Sequence, residues 1–83
     1  MVSKTIPKVT VYSTPTCPYC HMAKDFFKKY EVRFSDYDVS ADGAKAEEMV
    51  KKSGQMGVPV IDIDGKIIVG YDVPAIKKAL GIN

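Results

Sequence analysis

The only two cysteines of the sequence, Cys17 and Cys20, lie three positions apart in a Cys-Pro-Tyr-Cys-His motif. The motif follows a β-like run and begins a helical pattern, so both sulfurs are expected in the first turn of a helix. That turn has unpaired backbone N–H groups and the positive end of the helix dipole, which stabilise a thiolate. Because thiolates attack disulfides, the spacing favours thiol–disulfide exchange. Cys17 is predicted to be the exposed, ionised nucleophile and Cys20 the resolving thiol.

Other chemistries fit the same motif. Cys-x-x-Cys-His is also the pattern of covalent c-type haem attachment, with Met22, Met49 or Met56 as a conceivable second axial ligand. Two thiolates and His21 could form part of a zinc site, whose fourth ligand would be a carboxylate or come from a second subunit. A purely stabilising disulfide is a weak alternative, because a crosslink over so short a loop removes little chain entropy. Beside a β-α-β pattern, the motif favours redox chemistry over these alternatives.

Length and charge narrow the class of protein. The 83 residues allow one domain, predicted to span residues 1–83, and we expect it to be a monomer. The net charge of +2 lacks the basic excess typical of nucleic-acid-binding proteins. No run approaches the ~20 apolar residues of a membrane span, and the N-terminal residues lack the apolar core of a signal peptide. A cytoplasmic location is therefore predicted, where paired cysteines are more often catalytic or metal-binding than structural.

Hydrophobic periodicity predicts the elements on either side of the motif. Alternating β-branched and aromatic residues predict a strand over 9–13. A helical pattern begins at Pro18, which suits the first helical position because it has no N–H. The apolar face of this helix comprises Tyr19, Met22, Ala23, Phe26, Phe27 and Tyr30, of which the last three are predicted core residues. The opposite, solvent-facing side comprises His21, Lys24, Asp25, Lys28 and Lys29.

The remaining elements follow in a regular order. A strand is predicted over 32–39, where the apolar phase shifts between Phe34 and Tyr37 and indicates a bulge or an early end. Ser40 is the predicted N-cap of a helix over 42–53, which Gly54 ends. Strands over 58–63 and 66–71 flank an Asp-Gly pair, a strong signal for a type I′ hairpin.

Asp72 is the predicted cap of a last short helix, which ends at Gly81. The resulting order is β-α-β-α-β-β-α. The first β-α-β unit requires parallel pairing, and the last two strands form an antiparallel hairpin. A mixed four-stranded sheet flanked by helices is therefore predicted.

With the Cys-Pro-Tyr-Cys motif, the element order and Val58-Pro59 placed, the chain resembles the glutaredoxins of the thioredoxin-fold superfamily. The resemblance covers about residues 9 to 80 and implies an α/β, thioredoxin-like fold. It also implies a thiol–disulfide oxidoreductase that reduces protein disulfides and glutathione-mixed disulfides. Such a protein has no bound cofactor or metal and uses glutathione as co-substrate.

The resemblance further implies a binding surface beside the cysteines. Similar proteins hold the Val-Pro bond in the cis form, and Pro59 matches that proline. The backbone of Val58 would then be free to pair with glutathione or an extended peptide. Gln55 and Asp72 match positions that meet the glutathione carboxylates. Tyr19, between the two cysteines, is expected to be exposed and to contact substrate.

Departures from the family pattern bear on the electron source. Thr14 replaces a frequent lysine, Gly57 replaces a frequent threonine, and Val73 replaces a second acidic residue. Thioredoxin reductase is therefore an alternative electron source, although the chain lacks the tryptophan that many redoxins of that kind carry. A protein that binds an iron–sulfur cluster or zinc through Cys17 is a further alternative, against which Pro18 and Tyr19 count.

Overall fold

The structure is a computed structural model that describes residues 8–81, so residues 1–7 and 82–83 of the predicted domain lie outside it. The described elements are β1 (Val9–Ser13), α1 (Pro18–Lys29), β2 (Phe34–Asp38), α2 (Gly43–Ser53), β3 (Val60–Ile63), β4 (Lys66–Val69) and α3 (Val73–Leu80). This order confirms the predicted β-α-β-α-β-β-α succession.

The described strands form one mixed sheet in the order β2-β1-β3-β4. β1 is parallel to β2 and antiparallel to β3, and β3 is antiparallel to β4. Asp64 and Gly65 join β3 to β4 with positive φ angles of 50° and 91°, as a type I′ turn requires. The predicted thioredoxin-like arrangement of a mixed sheet and flanking helices is confirmed.

The sheet has a hydrophobic core on each face, because successive side chains of a strand point to opposite sides. On one face, Val9 and Val11 of β1 pack with residues of α1 and α3. On the other face, Tyr12 packs against Met49 of α2. Phe26 and Phe27 of α1 are buried as predicted.

Two side chains on the predicted apolar face of the first helix, those of Tyr30 and Met22, are more exposed than predicted. Tyr30 is 39% exposed, because α1 ends at Lys29 and Tyr30 is only its C-cap residue. Its ring still packs on Phe26, with the ring centroids 4.7 Å apart. Met22, predicted on the apolar face, is 46% exposed.

The second strand has no bulge, but β2 (Phe34–Asp38) is shorter at both ends than the predicted strand over 32–39, so the predicted early end is confirmed. β2 pairs continuously with β1, from Val9↔Phe34 to Ser13↔Asp38. Phe34 packs in one core and Tyr37 in the other, so the apparent phase shift reflects a strand with apolar contacts on both faces.

The N-cap of α2 is also different from the prediction. Asp42 caps the helix, and its Oδ1 accepts the backbone N–H of Lys45 at 3.1 Å. Ser40 instead lies in the preceding turn, where its backbone N–H donates to the carboxylate of Asp38 at 2.9 Å. Gly54 ends α2 as predicted, in the left-handed conformation with φ 76°.

The hairpin strands are shorter than predicted. β3 begins at Val60 and β4 ends at Val69, so the residues at both margins are loops. Pro59 has no N–H to contribute to the sheet, although its carbonyl accepts the backbone N–H of Gly70 at 2.8 Å. The residues before β3 therefore form a loop, in which the Val58 carbonyl lies 3.9 Å from the Cys17 Sγ.

Candidate active site

The loop after β1 places Cys17 at the N-terminus of α1. Cys17 is the N-cap residue, with extended backbone angles of φ −90° and ψ 113°, and its own N–H donates to the Thr14 carbonyl at 3.3 Å. Its Sγ accepts the backbone N–H of Cys20 at 3.2 Å. An N–H donor and the helix dipole both favour negative charge at this sulfur position.

Cys20 has a different environment from Cys17. Its side chain is fully buried, whereas Cys17 is half-buried. Burial, followed by the hydrogen bond with Cys17, raises the pKa of the Cys20 thiol to about 12. The pair therefore combines one accessible sulfur with one buried, protonated thiol behind it.

The loop before β3 lies directly against the nucleophile position. The Val58–Pro59 peptide bond is cis, as the resemblance implied. The Sγ of Cys17 donates to the Val58 carbonyl at 3.9 Å, a distance that is long but within range for sulfur. Tyr19 is 60% exposed, as predicted, and its contact with substrate stays a prediction.

Gln55 and Asp72 interact within their own loops. The side-chain amide of Gln55 donates to the Gly57 carbonyl at 3.4 Å. Asp72 is the N-cap of α3, and its Oδ1 accepts the Ala75 backbone N–H at 3.3 Å. The capping role predicted for Asp72 is confirmed. The structure thus joins Cys17, Cys20 and Val58 by hydrogen bonds, and it leaves contact of Gln55 and Asp72 with glutathione a prediction.

Sequence patterns missed two sets of contacts around the cysteines. His21 Nε2 lies 2.7 Å from the Pro15 carbonyl and thereby ties α1 to the loop that carries Cys17. Lys24, predicted to face solvent freely, forms an ion pair with Asp36 at 2.9 Å. The only hints in the sequence were a lysine one helical turn after Cys20 and an aspartate in the strand expected beside β1.

A separate polar cavity lies on the α2 side of the sheet. Its volume is about 600 Å³, and it is lined by Lys8, Thr10, Tyr12, Tyr37, Lys45, Glu48, Lys52, Asp62, Asp64 and Gly65. The hydroxyl of Tyr12 donates to Glu48 and accepts from Lys52. Lys52 also forms an ion pair with Asp62 at 2.8 Å. The cavity contains none of the predicted site residues, and four of its charged side chains, those of Lys45, Glu48, Lys52 and Asp62, are paired with one another.

The glutaredoxin family model matches residues 9–68. The chain belongs to the glutaredoxin family. The glutaredoxin-like 8.6 kDa protein of the rubredoxin operon of Clostridium pasteurianum is 46% identical over 72 residues, which cover 87% of this chain and 96% of that protein. Glutaredoxin 3 of Escherichia coli strain K12 is 44% identical over 64 residues, or 77% of each chain.

The solved buckwheat glutaredoxin–glutathione complex is similar to this glutaredoxin in fold. Its TM-score is 0.72, with 27% sequence identity over 90% of this chain and 71% of the buckwheat chain. Together with the cysteine geometry, family membership makes the protein a thiol–disulfide oxidoreductase. Residues 8–81 contain no helix long and apolar enough to cross a membrane. In the same range, no group of three or more His, Cys, Asp and Glu residues is arranged to hold a metal ion.

Proposed function

We propose that this glutaredoxin reduces protein disulfides and glutathione-mixed disulfides with electrons from glutathione. The observation that carries the proposal is the accessible sulfur of Cys17 at a helix N-terminus, with the buried thiol of Cys20 behind it. The similarity to a glutaredoxin solved with glutathione supports glutathione as co-substrate. We further propose that residues 1–83 act as a single-domain monomer in the cytoplasm.

The reaction has two exchange steps. The Cys17 thiolate attacks one sulfur of the target disulfide, and the other target sulfur leaves as a thiolate that takes a proton from solvent. Cys20 then loses its proton, attacks the Cys17 sulfur and releases the second target sulfur. Two glutathione molecules restore the dithiol by the same exchange and leave as glutathione disulfide.

Substrate binding is assigned to the surface around Cys17. The exposed ring of Tyr19 offers an apolar contact, and Val58 offers backbone groups beside the reacting sulfur. Pro59 fixes that loop at the start of β3. Gln55 supplies an amide near Gly57, and Asp72 lies at the N-terminus of α3, where backbone N–H groups can meet a carboxylate.

The test is NADPH consumption with a glutathione-mixed disulfide, glutathione and glutathione reductase. Rapid turnover that depends on the protein is expected. The Cys17→Ser variant provides the blank, because it lacks the nucleophile. No turnover from folded, fully reduced protein would remove glutathione from the proposal.

A second candidate is a redoxin recharged by thioredoxin reductase. It is favoured by Val73, which packs against the core at the first position of α3, where the family pattern has an acidic residue. The same two cysteines would serve. Replacing glutathione and its reductase by thioredoxin reductase, with a protein disulfide as substrate, separates the candidates. NADPH consumption only in that mixture would favour the second candidate.

A further inference from the structure

The second exchange step requires a buried thiol to ionise. Cys20 is fully buried, and a thiol must lose its proton before it attacks a disulfide. The Cys17 sulfur opposes that ionisation, whereas the Thr14 backbone N–H and the charge of Lys24 favour it. In the mixed disulfide, Cys17 is bonded to substrate and carries no charge. The groups that favour ionisation of Cys20 then act unopposed by Cys17.

Lys24 is held close to this thiol. It lies one helical turn after Cys20, so the two side chains occupy neighbouring positions on α1. Its Nζ lies 2.9 Å from Asp36 Oδ2, and its side chain is only 17% exposed. The other Asp36 oxygen accepts the hydroxyl of Ser13 at 2.7 Å, and Ser13 is 2% exposed. The ammonium group thus lies at Asp36 of β2, whose other oxygen is bound by Ser13 at the end of β1, and it remains one helical turn from Cys20.

We infer that Lys24 is a positioning residue for the second step, in which its ammonium group stabilises the Cys20 thiolate as that thiolate attacks Cys17. The inference rests on the proposed roles of Cys17 and Cys20. Cys20 gives its proton to solvent, its sulfur bonds to the Cys17 sulfur, and the Cys17–substrate bond breaks. The bond's electron pair leaves on the substrate sulfur, which takes a proton from solvent.

The test follows one turnover with dithiobis(nitrobenzoate) by stopped-flow absorbance. One coloured thiolate appears when Cys17 attacks, and a second appears when Cys20 displaces the mixed disulfide. Lys24→Gln is expected to leave the first phase unchanged and to slow the second about three- to tenfold, with its pH profile shifted upward by about 0.5 to 1 unit. Far-ultraviolet circular dichroism of the reduced Lys24→Gln variant checks that it is folded.

Three variants separate charge from structure. Lys24→Arg keeps the charge and should restore the wild-type second phase. Lys28→Gln removes an exposed charge one turn further along α1 and should leave both phases unchanged. Asp36→Asn weakens the same ion pair but keeps the Lys24 charge and an acceptor for Ser13. Lys24 remains one helical turn from Cys20, and the negative charge that offsets its ammonium group is gone, so the second phase should be at least as fast as that of the wild type.

The inference is overturned by a wild-type second phase in Lys24→Gln, or by slowing without a shift of its pH profile. Equal slowing in Asp36→Asn would also overturn it, because the ion pair rather than the charge would then matter. If Lys24→Gln does not fold, a slowed second phase in folded Asp36→Asn overturns the inference and an unslowed one supports it. A wild-type protein without a rapid first phase would instead contradict the assignment of Cys17. Glutathione is absent from this experiment, so the electron source does not affect its outcome.

Discussion

At the scale of single residues, the two cysteines are made unequal by their surroundings. Cys17 accepts an N–H from the first turn of α1 and contacts the Val58 loop, so its sulfur is placed to meet a substrate. Cys20 is buried with its pKa raised, chiefly by that burial, and so remains protonated until a mixed disulfide has formed. The order of the two attacks therefore follows from geometry and ionisation.

Substitution of each cysteine should separate the two steps. Cys17→Ser is expected to lose all reduction of both substrate classes, because no nucleophile remains at the helix N-terminus. Cys20→Ser should lose reduction of protein disulfides but retain reduction of glutathionylated peptides, since a second glutathione can replace Cys20. Both activities are measured by coupled NADPH consumption. Activity that survives in Cys17→Ser would contradict the assignment.

At the scale of elements, glycines at helix C-termini set where the helices end. Gly54 has φ 76°, a conformation that costs an L-residue roughly 1 kcal/mol. No heavy atom lies within 4 Å of a Cβ built at Gly54, so backbone strain is the only penalty for a small side chain. The end of α2 consequently depends on backbone conformation and not on space.

Gly54→Ala is therefore expected to lower the free energy of unfolding by about 1 kcal/mol. Gly43→Ala is the matched control, because Gly43 is the first residue of α2, has open space around it and needs no positive φ. That variant should be unchanged or stabilised by up to about 1 kcal/mol. Urea denaturation of the reduced proteins measures both values. Equal stability of Gly54→Ala and the wild type would show that another residue ends the helix.

At the scale of the whole molecule, both faces of the sheet hold groups that keep their protons unusually strongly. On the α1 side, burial raises the pKa of Cys20 above its ordinary value of 9.0. On the α2 side, burial and the Glu48 contact raise the pKa of Tyr12 above 10.0. The hydrogen bond to Asp62, followed by that to Tyr12, raises the pKa of Lys52 above 10.5.

The reduced protein should therefore lose stability as the pH rises above about 9. Above each group's ordinary pKa, the unfolded chain has lost a proton that the folded chain still holds. The free energy of unfolding therefore falls by up to about 1.4 kcal/mol per pH unit for each such proton. Oxidation to the Cys17–Cys20 disulfide removes the thiol contribution, so the oxidised protein should begin to lose stability nearer pH 10. Urea midpoints of both forms across this range test the prediction. A reduced protein equally stable at neutral and alkaline pH would contradict it.

Much of the fold could be predicted because its signals are local. The Cys-Pro-Tyr-Cys motif, the Asp-Gly hairpin and the caps at Gly54, Asp72 and Gly81 each involve a few consecutive residues. Errors arose where two local signals competed. Ser40 and Asp42 are both good N-caps, and only the turn made with Asp38 decides between them.

The sequence by itself determined the chemistry of the site and the order of the elements, because spacing within a motif and periodicity within an element are set by neighbouring residues. Only the tertiary structure brought Val58 to the Cys17 sulfur, across 41 positions, and Lys24 to Asp36, across 12. Those contacts depend on how the strands pair and how α1 packs on the sheet. The exposure of Cys17, the burial of Cys20 and the charge held beside it are therefore properties of the folded chain.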